Sequence, residues 1–178
     1  MNYVSIIPAR AGSKGISRKN IQEIQGIPMV AYTFDAAIKS QYIEKSYVTT
    51  DDENVIKIAN EYGVKVPFVR PKYLSGDESI TVDVVLHFLE WYKIDSGGFP
   101  ENFVLLQPTS PFRDYVDIDN AITQFKKSQS LSLFSACEVT QHPFEMFHID
   151  NDKGLDFFYR KDNNLDKKII ELIKRFNL

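Results

Sequence analysis

Four cations crowd the start of the chain. Arg10, Lys14, Arg18 and Lys19 are the only charged residues among the first 22, in a protein whose net charge is −3. Segregating positive charge against an acidic whole points to an anionic ligand. Gly12 and Gly15 sit between the cations. Lacking a Cβ, they let the backbone take positive φ and bring its N–H groups close to oxygen atoms, and Ser13 adds a hydroxyl donor. An arginine grips two oxygens at once, and a lysine supplies a compact charge. The chemistry open to this set is the holding of phosphate groups. The same residues also fit a solvated basic loop after an edge strand, so the elements around them have to decide.

Residues 4–8 form an apolar run that stops at Pro8, which predicts a strand feeding the basic loop. The loop then lies at the carboxyl end of the first strand, where open α/β sheets bind ligands. It fits neither common nucleotide fingerprint. GxxxxGK followed by Ser or Thr needs a glycine five residues before its Gly-Lys pair, and GxGxxG needs a third glycine in register.

Strand and helix patterns alternate from here, as they do in βαβ units with a mostly parallel sheet. Gly26 and Pro28 break the chain, with Pro28 placed as the first residue of a helix to about Lys39 and a face of Val30, Phe34, Ala37 and Ile38. A second strand covers 46–50, ending in Asp51 and Asp52. Glu53 opens a helix that Gly63 closes as a left-handed C′ residue, and a third strand covers 64–69 with Arg70 at its end. The polar segment 75–81 turns into an apolar helix from Val82 to about Tyr92, its inward face carrying Val85, Leu86, Leu89 and Trp91. A strand over 102–106 runs into LLQPTSPFR, where Pro108 and Pro111 stiffen the backbone and hold Gln107 and Arg113 at set positions. A helix over about 116–127 and a last sheet strand over 131–136 complete the pattern, before a hairpin over 145–149 and 155–159 and a short amphipathic helix around Ile169, Ile170, Ile173 and Phe176.

The remaining candidate groups have simpler explanations. Asp117 and Asp119 form an Asp-x-Asp pair, but both fall in a first helical turn, where carboxylates cap and complement the dipole. Asp51 and Asp52 are read the same way. His87 lies inside an apolar helix, and His142 and His148 have no Cys or His partner at ligand spacing, so no metal site is assigned.

Composition bounds the function. With 178 residues the expectation is one domain over 1–178, residues 140–178 forming a less regular C-terminal extension. The 13 Phe and 9 Tyr exclude a disordered chain, and the modest negative charge argues against bulk nucleic-acid or membrane-surface binding. A lone cysteine, Cys137, permits no intrachain disulfide. With no apolar run of membrane-spanning length and no leader pattern at the N-terminus, the expectation is a soluble cytoplasmic protein.

PARAGSKGISRKN, over residues 8–20, resembles the N-terminal signature of the CMP-sialic acid synthetases, the acylneuraminate cytidylyltransferases. VRPKYL at 69–74, LLQPTSPFR at 105–113 and SACEVTQHP at 135–143 resemble further stretches of that family in the same order. Ordered motifs over about 140 residues are specific where a single Gly-rich loop is weak. The resemblance implies a Rossmann-like three-layer α/β sandwich of the nucleotide-diphospho-sugar transferase type. It also implies transfer of CMP from CTP to a sialic-acid-like nonulosonate sugar acid, with loss of pyrophosphate, Mg²⁺ as cofactor, and a homodimer. Carried over by position, Arg10, Ser13, Lys14, Lys19 and Asn20 would hold the nucleotide, with Arg10, Lys14 and Lys19 stabilising charge on the transferring phosphates. Arg70 would add a nucleotide contact, Gln107 would face the sugar acid or assist the transferring centre, and Arg113 would serve the same substrate side by orienting the loop. Ala11 and Ser17 replace the family's commoner glycine and proline. Family members also continue through an NGAIY-like segment and an Asp-x-Asp pair that holds the metal, so relative to them the chain is expected to be C-terminally truncated. The alternative this leaves is a non-catalytic nucleotide-binding remnant or an interaction protein.

Overall fold

The first strand explains the rest of the architecture. β1 (Tyr3–Pro8) is buried along almost its whole length, and a strand covered on both faces reads as a continuous apolar run. Its side chains alternate between two cores. Tyr3 and Ile7, with Ala9 beyond them, join Val30, Phe34, Val55 and Ile122. Val4 and Ile6 join Tyr47, Val85 and Phe88 on the other face. The computed structural model describes residues 3–12, 15–128, 130–136, 147–150 and 154–157.

After β1, the small hairpin β2 (Glu23–Ile24) and β3 (Ile27–Pro28) leads into α1 (Met29–Lys39). Then follow β4 (Ile43–Thr49), α2 (Glu53–Tyr62), α3 (Thr81–Ser96), β5 (Asn102–Leu105) and α4 (Tyr115–Ser128). The sheet has the order β4-β1-β5, with both pairings parallel. Helices α1, α2 and α4 supply the core on one face, and α3 supplies the other. This is the expected three-layer α/β arrangement.

Local signals place the helices. Asp52 caps α2 by accepting from the Asn54 backbone N–H at 2.9 Å, and Gly63 closes it at φ 73°. Asp114 and Asp117 cap α4 reciprocally, each accepting from the other's backbone N–H at 3.0–3.1 Å. Pro28 stands just before α1, in extended conformation, instead of being its first residue. Ile38 and Leu86, expected on inward faces, are about half exposed. Ala31, Thr33 and Ala36 fill out the buried face of α1, and Val84 and Phe88 that of α3.

Two expected strands are absent. Over 64–69 only isolated bridges form, Tyr47 to Lys65 and Thr50 to Val69. Pro67 lies between them and has no N–H to offer a ladder. Residues 131–136 run without strand pairing, and Leu131, Leu133 and Phe134 are exposed. Their apolar character suits a strand, but a strand exists only where a partner supplies its ladder.

The chain divides into units Met1–Leu133 and Phe134–Leu178. In the second, β6 (Phe147–Asp150) pairs antiparallel with β7 (Gly154–Phe157), Phe147 opposite Phe157. The expected hairpin is therefore present, shifted by one or two residues. The amphipathic helix expected around residues 169–176, together with Cys137 and His142, falls outside the described residues. Among the described residues, no helix is long and apolar enough to cross a membrane.

Candidate functional site

The loops after β1, β4 and β5 leave the same end of the parallel sheet, the carboxyl end, where such sheets gather their ligands. Between them lies a cleft of about 210 Å³. Arg10, Gly12, Lys19, Asn20, Arg70 and Gln107 line it, together with Ser79 and Thr81 from the segment entering α3. Five residues singled out by sequence motif, separated by almost 100 positions, thus meet at one place. Ser13 and Lys14 fall outside the described residues.

The basic loop is tied down on three sides. Ala9 N–H donates to the Thr49 carbonyl at 3.0 Å. Ala11 N–H donates to Asp51 Oδ1 at 2.8 Å. Asn20 Nδ2 donates to the Arg10 carbonyl at 2.9 Å, which closes the loop on itself. Arg18 takes a left-handed conformation, φ 51°, at the turn into the 3-10 segment Lys19–Ile21. Asp51 therefore anchors the loop, where the sequence suggested only a helix-capping role. Asp119 differs from expectation in the same way: it accepts from Ser40 Oγ at 2.6 Å and from Gln41 N–H at 3.4 Å, joining α4 to the end of α1.

Arg70 is the electrostatic centre of the cleft. It is 4% exposed, and its guanidinium donates to Thr49 Oγ1 at 3.1 Å and to the Thr49 carbonyl. Both acceptors are neutral. Burial lowers its pKa below the ordinary arginine value to about 10, with the carboxylate of Asp51 opposing the shift and the charge of Arg10 adding to it. A cation in this condition gains from an anion brought into the cleft, because desolvation has already weakened its charged form.

Arg10 reaches away from the loop. Its Nη1 donates to the Ser75 carbonyl at 3.2 Å and its Nη2 to Asp77 Oδ1 at 2.8 Å. Arg113 stands outside the cleft. Its Nη2 donates to Thr33 Oγ1 at 3.2 Å and its Nη1 to the Gln107 carbonyl at 3.4 Å, so it straps the loop after β5 onto α1. Burial lowers its pKa, against the pull of Asp117.

Asp77, Ser79 and Thr81 escaped the sequence reading. Their signal was a polar run set between an arginine-bearing segment and an apolar helix, but no local pattern says that it folds over a cleft built 60 residues earlier. A larger hollow of about 620 Å³ lies behind this segment, against α3, with Asp77, Glu78, Asp83 and Glu90 in its lining. Its charge is wrong for an anion. His87 borders it with its ring edge-on to Phe68 at 4.6 Å.

Among the described residues, no group of three or more His, Cys, Asp or Glu side chains is placed to hold a metal ion. Asp51, Asp52 and Asp77 are each engaged by the N–H or guanidinium groups described above. The described residues therefore do not supply the carboxylate set that Mg²⁺ prefers.

The chain resembles known proteins along most of its length. A family model described as cytidylyltransferase matches residues 4–165. The chain is 35% identical over 156 residues to an N-acylneuraminate cytidylyltransferase of Escherichia coli, covering 87% of this chain and 36% of that protein. It is 32% identical to a pseudaminic acid cytidylyltransferase of Campylobacter jejuni, over 90% of this chain and 69% of the relative. It is 34% identical to a CMP-N,N'-diacetyllegionaminic acid synthase of Legionella pneumophila, over 87% and 66%. The chain thus spans between about a third and two thirds of the length of these curated relatives. Among solved structures, a CMP:2-keto-3-deoxy-manno-octonic acid synthetase complexed with CTP shares the fold, with a TM-score of 0.59 at 22% identity over 74% of this chain and 50% of the other. With a family model spanning residues 4–165 and relatives matched over nearly its whole length, the chain belongs to the cytidylyltransferase family.

Proposed function

We propose that the chain transfers CMP from CTP to a nonulosonate sugar acid of the sialic-acid kind, releasing pyrophosphate. The observation that carries the reading is the convergence of Arg10, Lys19, Asn20, Arg70 and Gln107 on one cleft at the carboxyl end of a parallel sheet. In this reaction the anomeric hydroxyl of the sugar forms a bond to the α-phosphorus. The bond to the β-phosphate oxygen breaks, pyrophosphate leaves with the electron pair, and the hydroxyl proton passes to solvent. Little covalent chemistry falls to the protein. It has to align the hydroxyl with the phosphorus and offset charge on the phosphates.

Arg10 and Lys19 hold the phosphates, assisted by Lys14 and Ser13 of the same loop. Arg70 supplies a buried positive field from below, and Asn20, already bonded to the loop, offers its amide oxygen toward the nucleoside. Gln107 faces the sugar acid, and Arg113 sets its position through the backbone. The family resemblance assigns Mg²⁺ to this reaction. The described residues offer no carboxylate set that fits it. The reading includes a homodimer, which light scattering on the purified chain checks.

The deciding experiment is calorimetry with CTP, with and without Mg²⁺, followed on the same sample by pyrophosphate release with N-acetylneuraminate, pseudaminic acid and legionaminic acid in turn. Saturable CTP binding with release on one of these acids is expected. Binding without release supports a second reading, a nucleotide-binding protein without chemistry, which the lack of a described metal set favours. Absence of both overturns the assignment of the cleft.

A further inference from the structure

We propose that Asp77 is a positioning residue for Arg10, holding its guanidinium from behind so that the remaining N–H groups face the phosphates; this rests on the nucleotide reading of the cleft. Arg10 and Asp77 are 67 positions apart and meet at 2.8 Å, with a second bond at 3.2 Å from the same guanidinium to the Ser75 carbonyl. The two residues do not face the same space. Arg10 lines the 210 Å³ cleft where the cations gather, whereas Asp77 lines the 620 Å³ hollow on the other side of the segment. The guanidinium is therefore a partition between the two, spending one N–H on the carboxylate, one on the backbone carbonyl, and keeping the rest of its five donors for the cleft.

The pair is only partly buried, at 28% and 48% side-chain exposure. An ion pair this exposed adds little to fold stability. Its effect lies in orientation. A free arginine side chain samples many rotamers and loses that freedom on meeting a ligand, whereas one already fixed by a planar two-point grip loses little more. Ser79 and Thr81, from the same segment as Asp77, line the cleft that Arg10 faces. The opposite idea is a latch that withdraws Arg10 from the ligand. Arg10 lines the cleft while bonded to Asp77, and that favours positioning.

A double-mutant cycle on CTP affinity tests this, using Arg10→Ala, Asp77→Ala and the double variant, with thermal unfolding as a check on folding. Asp77→Ala is expected to weaken CTP binding about tenfold in the wild-type background and to change it less than about twofold once Arg10 is alanine, because coupled residues fail to add. Asp77→Asn keeps an oxygen acceptor for Nη2 and is expected to fall between; it carries the test if the alanine variant does not fold. Equal losses in both backgrounds, no loss in either, or tighter binding by Asp77→Ala would each overturn the proposal. If the wild type binds CTP and the cycle is additive, only the positioning role falls. If the wild type binds neither CTP nor inorganic tripolyphosphate, the nucleotide reading falls and this inference with it.

Discussion

A buried arginine whose hydrogen-bond acceptors are neutral is held at an energetic disadvantage until an anion arrives. Arg70 has Thr49 for both its bonds and a pKa lowered, chiefly by burial, to about 10. Because the folded value lies below the ordinary one, the charged guanidinium opposes folding at neutral pH, and that penalty lifts only as pH rises through about 10. The cation is what binds, so affinity for CTP should stay level with respect to this group from pH 7 to 9 and fall as pH passes about 10. Arg70→Lys should behave differently. A lysine starts from about 10.4 and the same burial lowers it, so its affinity should already be declining by pH 9. It should also be about tenfold weaker at pH 7.5, since a point charge cannot reproduce the planar contacts with Thr49. Calorimetry of the two proteins across that range checks both statements, and parallel curves would remove Arg70 from the site. Lys19→Ala and Gln107→Ala should separate the two halves of the cleft. The first is expected to weaken CTP and tripolyphosphate alike by about tenfold or more, as loss of a charge-assisted contact does. The second is expected to leave CTP affinity within about twofold while slowing pyrophosphate release in the presence of sugar acid.

Elements show which parts of the fold were legible and why. β1, α1 and α2 announce themselves locally, through an apolar run, an apolar stripe and terminal signals at Asp52 and Gly63. Gly63 is a place where the local signal has a measurable cost. It sits at φ 73°, a conformation that penalises a Cβ even though open space surrounds it. Gly63→Ala should therefore lower stability by about 1 kcal/mol, read as a fall of a few degrees in melting temperature with CTP affinity unchanged. The misread elements depend on partners that no local pattern records. Residues 64–69 carry enough valine to suggest a strand, yet Pro67 reduces the pairing to bridges at Lys65 and Val69. Residues 131–136 have strand-like composition and no ladder. The site divides along the same line. Arg10, Lys19, Asn20, Arg70 and Gln107 each sit in a local sequence motif, whereas Ser79 and Thr81 reach the cleft, and Asp77 its bond to Arg10, only through tertiary folding. Asp51 was visible as an acidic residue beside a helix start, but its bond to Ala11 spans 40 positions and belongs to the fold.

At the scale of the molecule, the cleft joins three loops. The loop after β1 is pinned to β4 through Thr49 and Asp51, the loop after β5 is strapped to α1 by Arg113, and the 75–81 segment is held by Arg10. A ligand that touches all three adds cross-links that the unfolded chain cannot make. It should therefore raise stability by mass action, by about 2.7 kcal/mol when its concentration is 100 times its dissociation constant. For a chain of this size that corresponds to a rise of roughly 5–10 °C in melting temperature. CTP should give this shift, and tripolyphosphate, which lacks the nucleoside, a smaller one. Arg70→Lys should reduce both shifts, because its charge acts on the phosphates common to the two ligands. A thermal scan of the full chain with each ligand, at matched ionic strength so that charge screening is constant, reads all of this directly. Equal shifts from CTP and tripolyphosphate would mean that the cleft recognises phosphate alone and that Asn20 takes no part in reading the nucleoside.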